Sequence, residues 1–180
     1  MNMSNRVDSP TGPIFVFVCG AGSCRHAPEL IRSLVSTGAE VYSVLTPNVE
    51  LVTDPAALMD IDGNHWIADY GQPPLDRFPF GTMLVAPCTF NTLNKLSAGI
   101  ADNLATAMLG DALGTGCRIV IAPGMNRGQW ANPRVSQSVQ TLTDWGCEFV
   151  PPREIDGRLT LAPIDAIVGA LSSQPRDDRS

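Results

Sequence analysis

The run PCTFNT at residues 87–92 holds the side chains of this sequence that are best suited to binding a polar ligand. It follows an apolar segment typical of a buried strand, and Thr89, Asn91 and Thr92 stand where a helix is expected to begin. Their hydroxyl and amide groups can both donate and accept hydrogen bonds. The turn therefore either holds a polar ligand or is an ordinary strand-to-helix turn.

A second candidate is the run GAGS at residues 20–23. Gly20 and Gly22 leave backbone N–H groups open, and Ser23 adds a hydroxyl, at the start of a predicted helix. The N-terminus of a helix favours phosphate, because unpaired N–H groups and the helix dipole point toward it. A tight turn without a ligand explains the run equally well. The run matches neither GxGxxG nor GxxxxGKS/T, so neither a dinucleotide nor ATP is indicated.

Two further polar turns follow predicted strands. Thr46 and Asn48 could add hydroxyl and amide contacts, although an Asn-capped turn accounts for them as well. Met125 and Asn126 follow another strand, and Asn126 is either a ligand contact or the N-cap of a helix predicted over 131–144.

The elements that position these turns alternate between strand and helix. Uniformly apolar runs rich in β-branched residues predict buried strands, and apolar residues that recur every three or four positions predict helices. The predicted strands cover 14–20, 41–46, 65–70, 82–87, 118–123 and 147–151, and the predicted helices cover 26–37, 49–59, 90–112 with a break near 99–102, 131–144 and 163–172. This order predicts a Rossmann-like (flavodoxin-like) α/β fold, a three-layer sandwich with a parallel sheet and helices on both faces. Ligands bind at the carboxyl edge of such sheets, where all four polar turns lie.

Length and composition limit the possible functions. The chain has 180 residues, of which 44% are hydrophobic and 17% charged, and this suits one folded domain. We predict that domain over 14–173, between flexible tails over 1–13 and 174–180. The net charge of −6 and the scattered basic residues argue against nucleic acid as a partner. No apolar run reaches the roughly 20 residues of a membrane helix, so no membrane partner is expected.

Cysteine and histidine usage indicates a reducing compartment and no structural metal. The five cysteines form no CxxC pair, and the two histidines have no ligand spacing, so no zinc site is expected. The N-terminal segment has no apolar signal-peptide core. Reduced thiols in the cytoplasm are therefore the expectation.

Taken together, the turns resemble the motifs of the homo-oligomeric flavin-containing cysteine decarboxylases. That family has Pro-Ala-Ser-Ala-Asn-Thr in the first motif and Pro-x-Met-Asn-x-x-Met-Trp in the second. The residues of this chain that match are Pro87, Asn91, Thr92, Pro123, Met125, Asn126 and Trp130, together with the run GIADNL at 99–104. Cys88, Thr89 and Phe90 replace Ala-Ser-Ala, and Gln129 stands where the family has its second Met. The resemblance spans about residues 14 to 170.

The resemblance implies a flavoprotein domain over 14–173 that binds FMN noncovalently. The residues implied to bind FMN are Gly20, Gly22, Ser23, Thr46, Asn48, Ala86, Pro87, Cys88, Thr89, Asn91 and Thr92. The residues implied to contact the substrate are Met125, Asn126 and Arg158, and Asn126 is the counterpart of the family residue that contacts the substrate carboxylate. A homo-oligomer, either a trimer or a dodecamer, is implied as well.

The chemistry implied by the resemblance is oxidative decarboxylation of a cysteine. Oxidation of the thiol to a thioaldehyde creates an electron sink near the carbon that loses CO₂, and an enethiolate remains. Phosphopantothenoylcysteine decarboxylases of the family then return the electrons to the enethiol, using a cysteine in a clamp after the last strand. Peptidyl-cysteine decarboxylases lack that cysteine and release the enethiol. The corresponding segment here, 151–163, contains no cysteine. We therefore expect a peptide with a C-terminal cysteine as the substrate, as in the biosynthesis of aminovinyl-cysteine products.

Two other functions stay open. One is phosphopantothenoylcysteine decarboxylase in coenzyme A biosynthesis, and the other is a non-catalytic FMN-binding regulatory subunit. Flavin prenyltransferase fits less well, since Pro-x-Met-Asn is not its pattern.

One departure from the family concerns its active-site histidine, which precedes the strand leading into the first motif. The ungapped counterpart here is GQPPLDRF, which contains no histidine. His65 is the predicted catalytic imidazole if the intervening loop is longer than in the family. A purely structural role is the alternative for His65, and His26 lies closer to the predicted phosphate site.

Overall fold

The computed structural model describes residues 12–173 of the chain. The predicted C-terminal tail and residues 1–11 of the predicted N-terminal tail lie outside the described residues. The strands are β1 (Ile14–Val18), β2 (Val41–Leu45), β3 (Asn64–Ile67), β4 (Thr82–Cys88), β5 (Arg118–Pro123), β6 (Glu148–Phe149), β7 (Arg153–Ile155) and β8 (Arg158–Thr160). The helices are α1 (Ala27–Ser36), α2 (Pro55–Met59), α3 (Phe90–Ser97), α4 (Leu104–Gly114), α5 (Arg127–Trp130), α6 (Pro133–Asp144) and α7 (Ile164–Ser172), with 3-10 turns over Gly22–His26 and Pro47–Leu51. No helix in this described range is long and apolar enough to cross a membrane.

Six strands form one parallel sheet in the order β3-β2-β1-β4-β5-β6. The strands β7 and β8 pair antiparallel as a separate hairpin. Parallel neighbours need crossover connections, and the crossover helices cover both faces of the sheet. One core layer contains α1, α2 and α7, and the other contains α3, α4 and α6. The predicted Rossmann-like α/β sandwich is therefore confirmed.

The central strand β1 is apolar along its whole length because helices cover both of its faces. Ile14, Val16 and Val18 lie in the core layer that contains α1 and α7. Phe15 and Phe17 lie in the opposite layer. All five side chains are at most 1% exposed. A continuous apolar run is the pattern that this position requires, and the sequence-based prediction of the strand rests on that pattern.

Two predicted helices begin later in the structure than in the prediction. The predicted helix over 49–59 covers the end of a 3-10 turn and then α2, and α6 begins at Pro133 rather than at 131. Pro55 and Pro133 occupy first positions of these helices. Proline favours that position because its missing N–H is not needed there.

The sequence-based prediction does not include the β7–β8 hairpin. Each of its strands is only three residues long. Asp156 and Gly157 in the turn have φ angles of 49° and 74°, and an Asp-Gly pair is favoured where a hairpin turn needs positive φ. The Asp-Gly pair was the available signal, but the flanking strands are too short to show an alternating pattern.

Candidate cofactor and substrate site

The candidate site lies at the carboxyl edge of the sheet, where β1 and β4 run side by side. The chain leaves β1 toward β2 and leaves β4 toward β5, so the two connections diverge and open a crevice. A cavity of about 620 Å³ lies in this crevice, within the size range of cofactor sites. The predicted residues that line it are Gly20, Gly22, Ser23, Thr46, Asn48, Thr89, Asn91, Thr92, Met125 and Asn126.

The turn after β1 approaches the cavity through glycine. The Gly20 N–H donates to Thr46 Oγ1 at 3.2 Å, which joins the turns after β1 and β2. A Cβ on Gly20 would lie 2.5 Å from the backbone carbonyl of Asn48, so no larger residue fits. A Cβ on Gly22 would meet nothing within 4 Å. The turn therefore presents backbone groups and the Ser23 hydroxyl to the cavity.

The turn after β4 combines a helix cap with cavity lining. Thr89 is the N-cap of α3, because its Oγ1 accepts a hydrogen bond from the Thr92 N–H at 3.3 Å. The two threonine hydroxyls lie 3.2 Å apart, and Asn91 is exposed in the first turn of the helix. The helix cap accounts for the turn, and because both threonines also line the cavity, the ligand interpretation stays a prediction for them.

Gly124, in the turn after β5, allows this turn to pack closely against the turns after β1 and β4. Its N–H donates to the carbonyl of Cys88 at 2.8 Å. A Cβ at this position would lie 2.5 Å from Pro87 Cβ and 2.7 Å from Ser23 Oγ. Any side chain here would push the turns after β1 and β4 apart. The sequence-based prediction misses Gly124, because the run PGMN does not reveal what its glycine touches.

Asn126 is both a helix cap and a cavity residue. Its Oδ1 accepts a hydrogen bond from the Gln129 N–H at 2.9 Å, so it caps the short helix α5. The helix over 133–144 has a cap of its own, Asn132. The alternative that Asn126 caps the helix predicted over 131–144 is therefore wrong, and Asn126 caps the short helix α5 instead. Because the cap uses only Oδ1, the Nδ2 amide group of Asn126 is left to donate to a ligand.

Three residues at the end of β4 that are predicted to contact the cofactor do not line the cavity, so those contacts stay predictions. Ala86, Pro87 and Cys88 are buried behind the cavity wall and do not line it. The carbonyl of Pro87 accepts from the Cys19 N–H at 3.2 Å, and that of Cys88 accepts from the Gly124 N–H at 2.8 Å. These two hydrogen bonds tie the end of β4 to the turns after β1 and β5 and so support the cavity wall.

Two buried thiols, Cys19 and Cys88, lie behind the same wall, each at most 1% exposed. Hydrogen bonding by Cys88, and further hydrogen bonds from Thr92 and Thr89, lower the pKa of Cys19 to about 7 in spite of its burial. The Cys19 contact and burial hold the pKa of Cys88 well above its usual range. Burial raises the pKa of Cys147 to about 12, as its predicted buried position requires. No thiol lines the cavity among the described residues.

His65 does not line the cavity of its own chain, so its catalytic role stays a prediction. It lies on the edge strand β3, opposite Tyr42 in the parallel register, with the two rings 5.2 Å apart. Tyr42 is near the amino end of β2, whereas Thr46, past the carboxyl end, lines the cavity. Within one chain, the position of His65 is therefore consistent with a purely structural role. His26 is exposed and does not line the cavity either.

Arg158, on the hairpin strand β8, is exposed and does not line the cavity, so its substrate contact stays a prediction. Cross-strand partners share a face, and neighbouring residues of a strand point to opposite faces. Glu154 and Leu159 are partners, and Leu159 lines the cavity. Arg158 pairs with Ile155 and shares its face with Thr160, which also lines the cavity, so the hairpin register alone does not exclude Arg158 from a substrate contact.

Several cavity residues were not predicted. Lys95 and Asp102 form an ion pair of 2.5 Å on the cavity wall, and the lining also includes Gln129, Leu159 and Thr160. Lys95 follows Asn91 by four residues and so shares its helix face, which is a signal that the sequence contains. The hairpin residues carry no such signal, because only the tertiary fold brings them to β1 and β4.

This set of residues fits a flavin mononucleotide. Gly20 and Gly124 keep the crevice open at positions that a Cβ would fill. The wall offers hydroxyl and amide groups from Ser23, Thr89 and Asn91, which suit a phosphate, a polyol chain and a polar ring edge. A cofactor that carries a phosphate, a polyol chain and a polar ring edge therefore fits this hydrogen-bonding cavity.

Comparison with known proteins identifies the family. The family model described as "Flavoprotein" matches residues 2–174, and the chain belongs to this family. The match confirms the resemblance to the flavin-containing cysteine decarboxylases, and with it FMN as the cofactor.

Three similar proteins illustrate the range of the family. The chain is 28% identical over 165 residues to the coenzyme A biosynthesis bifunctional protein CoaBC of Thermococcus kodakarensis, and the match covers 86% of this chain and 40% of that protein. A solved structure of a PPC decarboxylase mutant complexed with pantothenoylaminoethenethiol has a TM-score of 0.76 and 22% identity, covering 89% of this chain and 96% of the other. The peptidyl-cysteine decarboxylase EpiD has a TM-score of 0.75 and 21% identity, covering 90% and 99%. The chain thus spans about two fifths of the bifunctional relative.

Proposed function

We propose that this protein is an FMN-dependent decarboxylase that acts on the cysteine of phosphopantothenoylcysteine. The observation that carries the proposal is the meeting of three turns, after β1, β4 and β5, around one cavity. Sequence likeness to CoaBC over 86% of the chain supports the coenzyme A branch. The peptide substrate expected from the sequence is supported by likeness in fold alone. Phosphopantothenoylcysteine therefore becomes the first candidate substrate and the peptide the second.

The chain's part in the reaction is to bind and to orient. The turn after β1 would hold the cofactor phosphate, and Thr89, Asn91 and Thr92 would hydrogen-bond its other polar groups. FMN, when bound, supplies the two-electron oxidation of the substrate thiol that prepares the neighbouring carbon to lose CO₂. Orientation of the thiol and the carboxylate in one cavity is the contribution expected from the protein.

Asn126 would orient the substrate carboxylate. The Gln129 N–H fixes its Oδ1, so the amide plane is held and Nδ2 has a set direction. A hydrogen bond to a charged group contributes about 1.5–3 kcal/mol. Asn126 can supply this without a buried positive charge that would hold the carboxylate back from leaving as CO₂.

The second candidate is a peptidyl-cysteine decarboxylase, which one specific observation favours. The hairpin segment 151–163 contributes Leu159 and Thr160 to the cavity and contains no cysteine. A hairpin without a thiol cannot return electrons to the enethiol, so the enethiol would be the released product. The two candidates therefore differ in product as well as in substrate.

The mass of the product tests both candidates. Purified protein reconstituted with FMN is incubated with phosphopantothenoylcysteine and, separately, with a peptide that ends in cysteine. Loss of about 44 Da corresponds to CO₂ alone, and loss of about 46 Da corresponds to an enethiol. No mass loss with either substrate would reject decarboxylation and favour a non-catalytic FMN-binding subunit. A protein that gains no flavin absorbance with FMN would reject the cofactor site itself.

We also propose that the chain forms a homo-oligomer, a trimer or a dodecamer. Ile100 and Trp145 are 48% and 51% exposed and border an apolar groove next to α4. Large exposed apolar side chains around one groove are typical of an interaction surface. Light scattering measures the oligomer directly, and a monomer at every concentration would contradict the proposal.

A further inference from the structure

Lys95 is the only lysine of this sequence. Of the 12 lysine and arginine residues, all the others are arginines. Lys95 lies in the last turn of α3, and its side chain lines the cavity. Among the described residues of the lining it is the one cationic side chain, and Asp102 is the one anionic side chain. A ligand anion that enters the cavity therefore has one lysine ammonium to meet.

The bond between Lys95 and Asp102 can be exchanged at small cost. Lys95 Nζ lies 2.5 Å from Asp102 Oδ2, and the two side chains are 23% and 49% exposed. Ion pairs with this much exposure contribute little to stability, because water screens them. Asp102 also accepts a hydrogen bond from Asn103 Nδ2 at 3.0 Å, and it stays in contact with water if Lys95 moves.

We propose that Lys95 binds the phosphate end of the substrate, and that Asp102 holds the ammonium on the cavity wall until the phosphate replaces it. This inference rests on the proposed function. The other anions already have partners in that proposal, since the turn after β1 takes the cofactor phosphate and Asn126 takes the carboxylate. A phosphate monoester carries nearly two charges at neutral pH, and lysine is a compact point charge suited to it. The phosphate thus attracts Lys95 more strongly than the single charge of Asp102 does.

A purely structural ion pair makes a different prediction. If the pair serves only to join α3 to the segment before α4, then Lys95→Gln and Asp102→Asn remove the same bond and have the same effect. If Lys95 binds phosphate, the two substitutions act in opposite directions. Lys95→Gln removes the charge that the phosphate needs, whereas Asp102→Asn removes its competitor.

The first experiment measures selectivity for the phosphate. The ratio of kcat/KM for phosphopantothenoylcysteine to that for pantothenoylcysteine is compared between variants of the FMN-loaded protein. We expect the ratio to fall at least tenfold in Lys95→Gln, to recover in part in Lys95→Arg and to rise in Asp102→Asn. Arg127→Gln is the matched control, because Arg127 is paired with Glu154 outside the lining, and its ratio should change less than twofold.

The second experiment does not depend on turnover. Reductive methylation with ¹³C-formaldehyde labels amines and keeps their charge, so this chain carries label at Lys95 and at its N-terminal amine only. We expect phosphopantetheine to shift the NMR signal of Lys95, and pantetheine to leave it in place. The N-terminal amine is the internal control for non-specific anion binding.

The outcomes separate this inference from the proposed function. If the wild-type protein decarboxylates phosphopantothenoylcysteine but the ratio is unchanged in Lys95→Gln, the inference is wrong and the function stands. If Lys95→Gln weakens FMN binding without changing the ratio, the lysine serves the cofactor and the inference is again wrong. If the wild-type protein turns over neither compound and phosphopantetheine does not shift the NMR signal of Lys95, both the proposed function and this inference are wrong.

Discussion

The two walls of the cavity are held together by different forces. The inner wall, defined as the turns after β1, β4 and β5, is joined by buried contacts such as the 2.8 Å hydrogen bond from the Gly124 N–H to the Cys88 carbonyl. The outer wall, defined as the β7–β8 hairpin with α5, is joined by the Arg127–Glu154 ion pair of 2.5 Å. Those two side chains are 61% and 51% exposed. Exposed ion pairs contribute little, whereas close-packed interiors tolerate no added volume.

This difference indicates how the molecule divides its tasks. The inner wall carries the residues proposed to bind FMN, and its geometry is set by backbone atoms and glycine. The outer wall is proposed to face the substrate, and the exposed Arg127–Glu154 ion pair joins its two parts. Substitutions of the inner wall should therefore change cofactor affinity or folding, and those of the outer wall should change substrate affinity.

The largest effect is expected for Gly124→Ala. The new Cβ would overlap Pro87 and Ser23, and such overpacking costs about 1–3 kcal/mol, so FMN affinity should fall roughly 10–100-fold. Titration of FMN fluorescence measures the affinity, and circular dichroism monitors the fold. Gly114→Ala is the control, because a Cβ there meets nothing within 4 Å. Wild-type FMN affinity in Gly124→Ala would contradict this prediction, because it would show that the inner wall can shift to accommodate the added Cβ.

Asn126→Asp should lower decarboxylation at least tenfold and leave FMN bound. Asp caps α5 as well as Asn does, but it replaces a donor with a negative charge that faces the substrate carboxylate. The loss of a charged hydrogen bond, about 1.5–3 kcal/mol, combines with repulsion that grows at low salt. Steady-state rates at two salt concentrations measure both effects.

Asn132→Asp is the matched control for this substitution. Asn132 caps α6 in the same way, with the Arg134 N–H at 2.9 Å from its Oδ1, but it does not line the cavity. Its rate should stay within about twofold of wild type, because the cap is preserved. Equal rates in both Asp variants would remove Asn126 from the substrate site.

A smaller effect is expected for Glu154→Gln, which breaks the ion pair of the outer wall. We expect KM for the substrate to rise a few-fold, and the free energy of unfolding to change by no more than about 1 kcal/mol. Kinetics and urea denaturation measure the two quantities. A loss of FMN in this variant would contradict the division between the walls.

The smallest effect on activity is expected for His65→Ala. His65 lies on the edge strand away from both walls, so turnover should stay within about twofold of wild type, and loss of the contact with Tyr42 should cost about 0.5–1.5 kcal/mol of stability. Turnover and thermal unfolding measure these quantities. A drop of about 10²–10⁴-fold with FMN retained would indicate that His65 acts as an acid or base in a neighbouring chain's site.

Local patterns were sufficient for most of the inner wall. The strands β1, β4 and β5 are apolar on both faces, and their turns are visible because small and polar residues interrupt those runs. The carboxyl ends of parallel strands lie at one edge, so the polar turns could be placed together before the structure was known. The contacts of Ala86, Pro87 and Cys88 could not, because the matched motif does not reveal which atoms already have partners in the neighbouring turns.

The outer wall could not be predicted for a related reason. Its hairpin strands are too short for a periodic signal, and the face to which Arg158 belongs depends on the hairpin register. The position of His65 relative to the cavity depends on the loop between β3 and β4, and the family motif does not specify the length of that loop. Each of these positions depends on contacts between residues that are far apart in the sequence.

The sequence by itself determined the α/β architecture, the carboxyl-edge location of the site and the flavoprotein family, since each depends on runs of neighbouring residues. Only the tertiary structure decided that Gly124 locks the inner wall, that Asn126 leaves Nδ2 for a ligand, and that Lys95 and Asp102 share the cavity. These features depend on distances between turns, and packing of both helical layers against the sheet sets those distances. Neighbouring residues specify an element, but the contacts among elements specify which atoms remain free to bind.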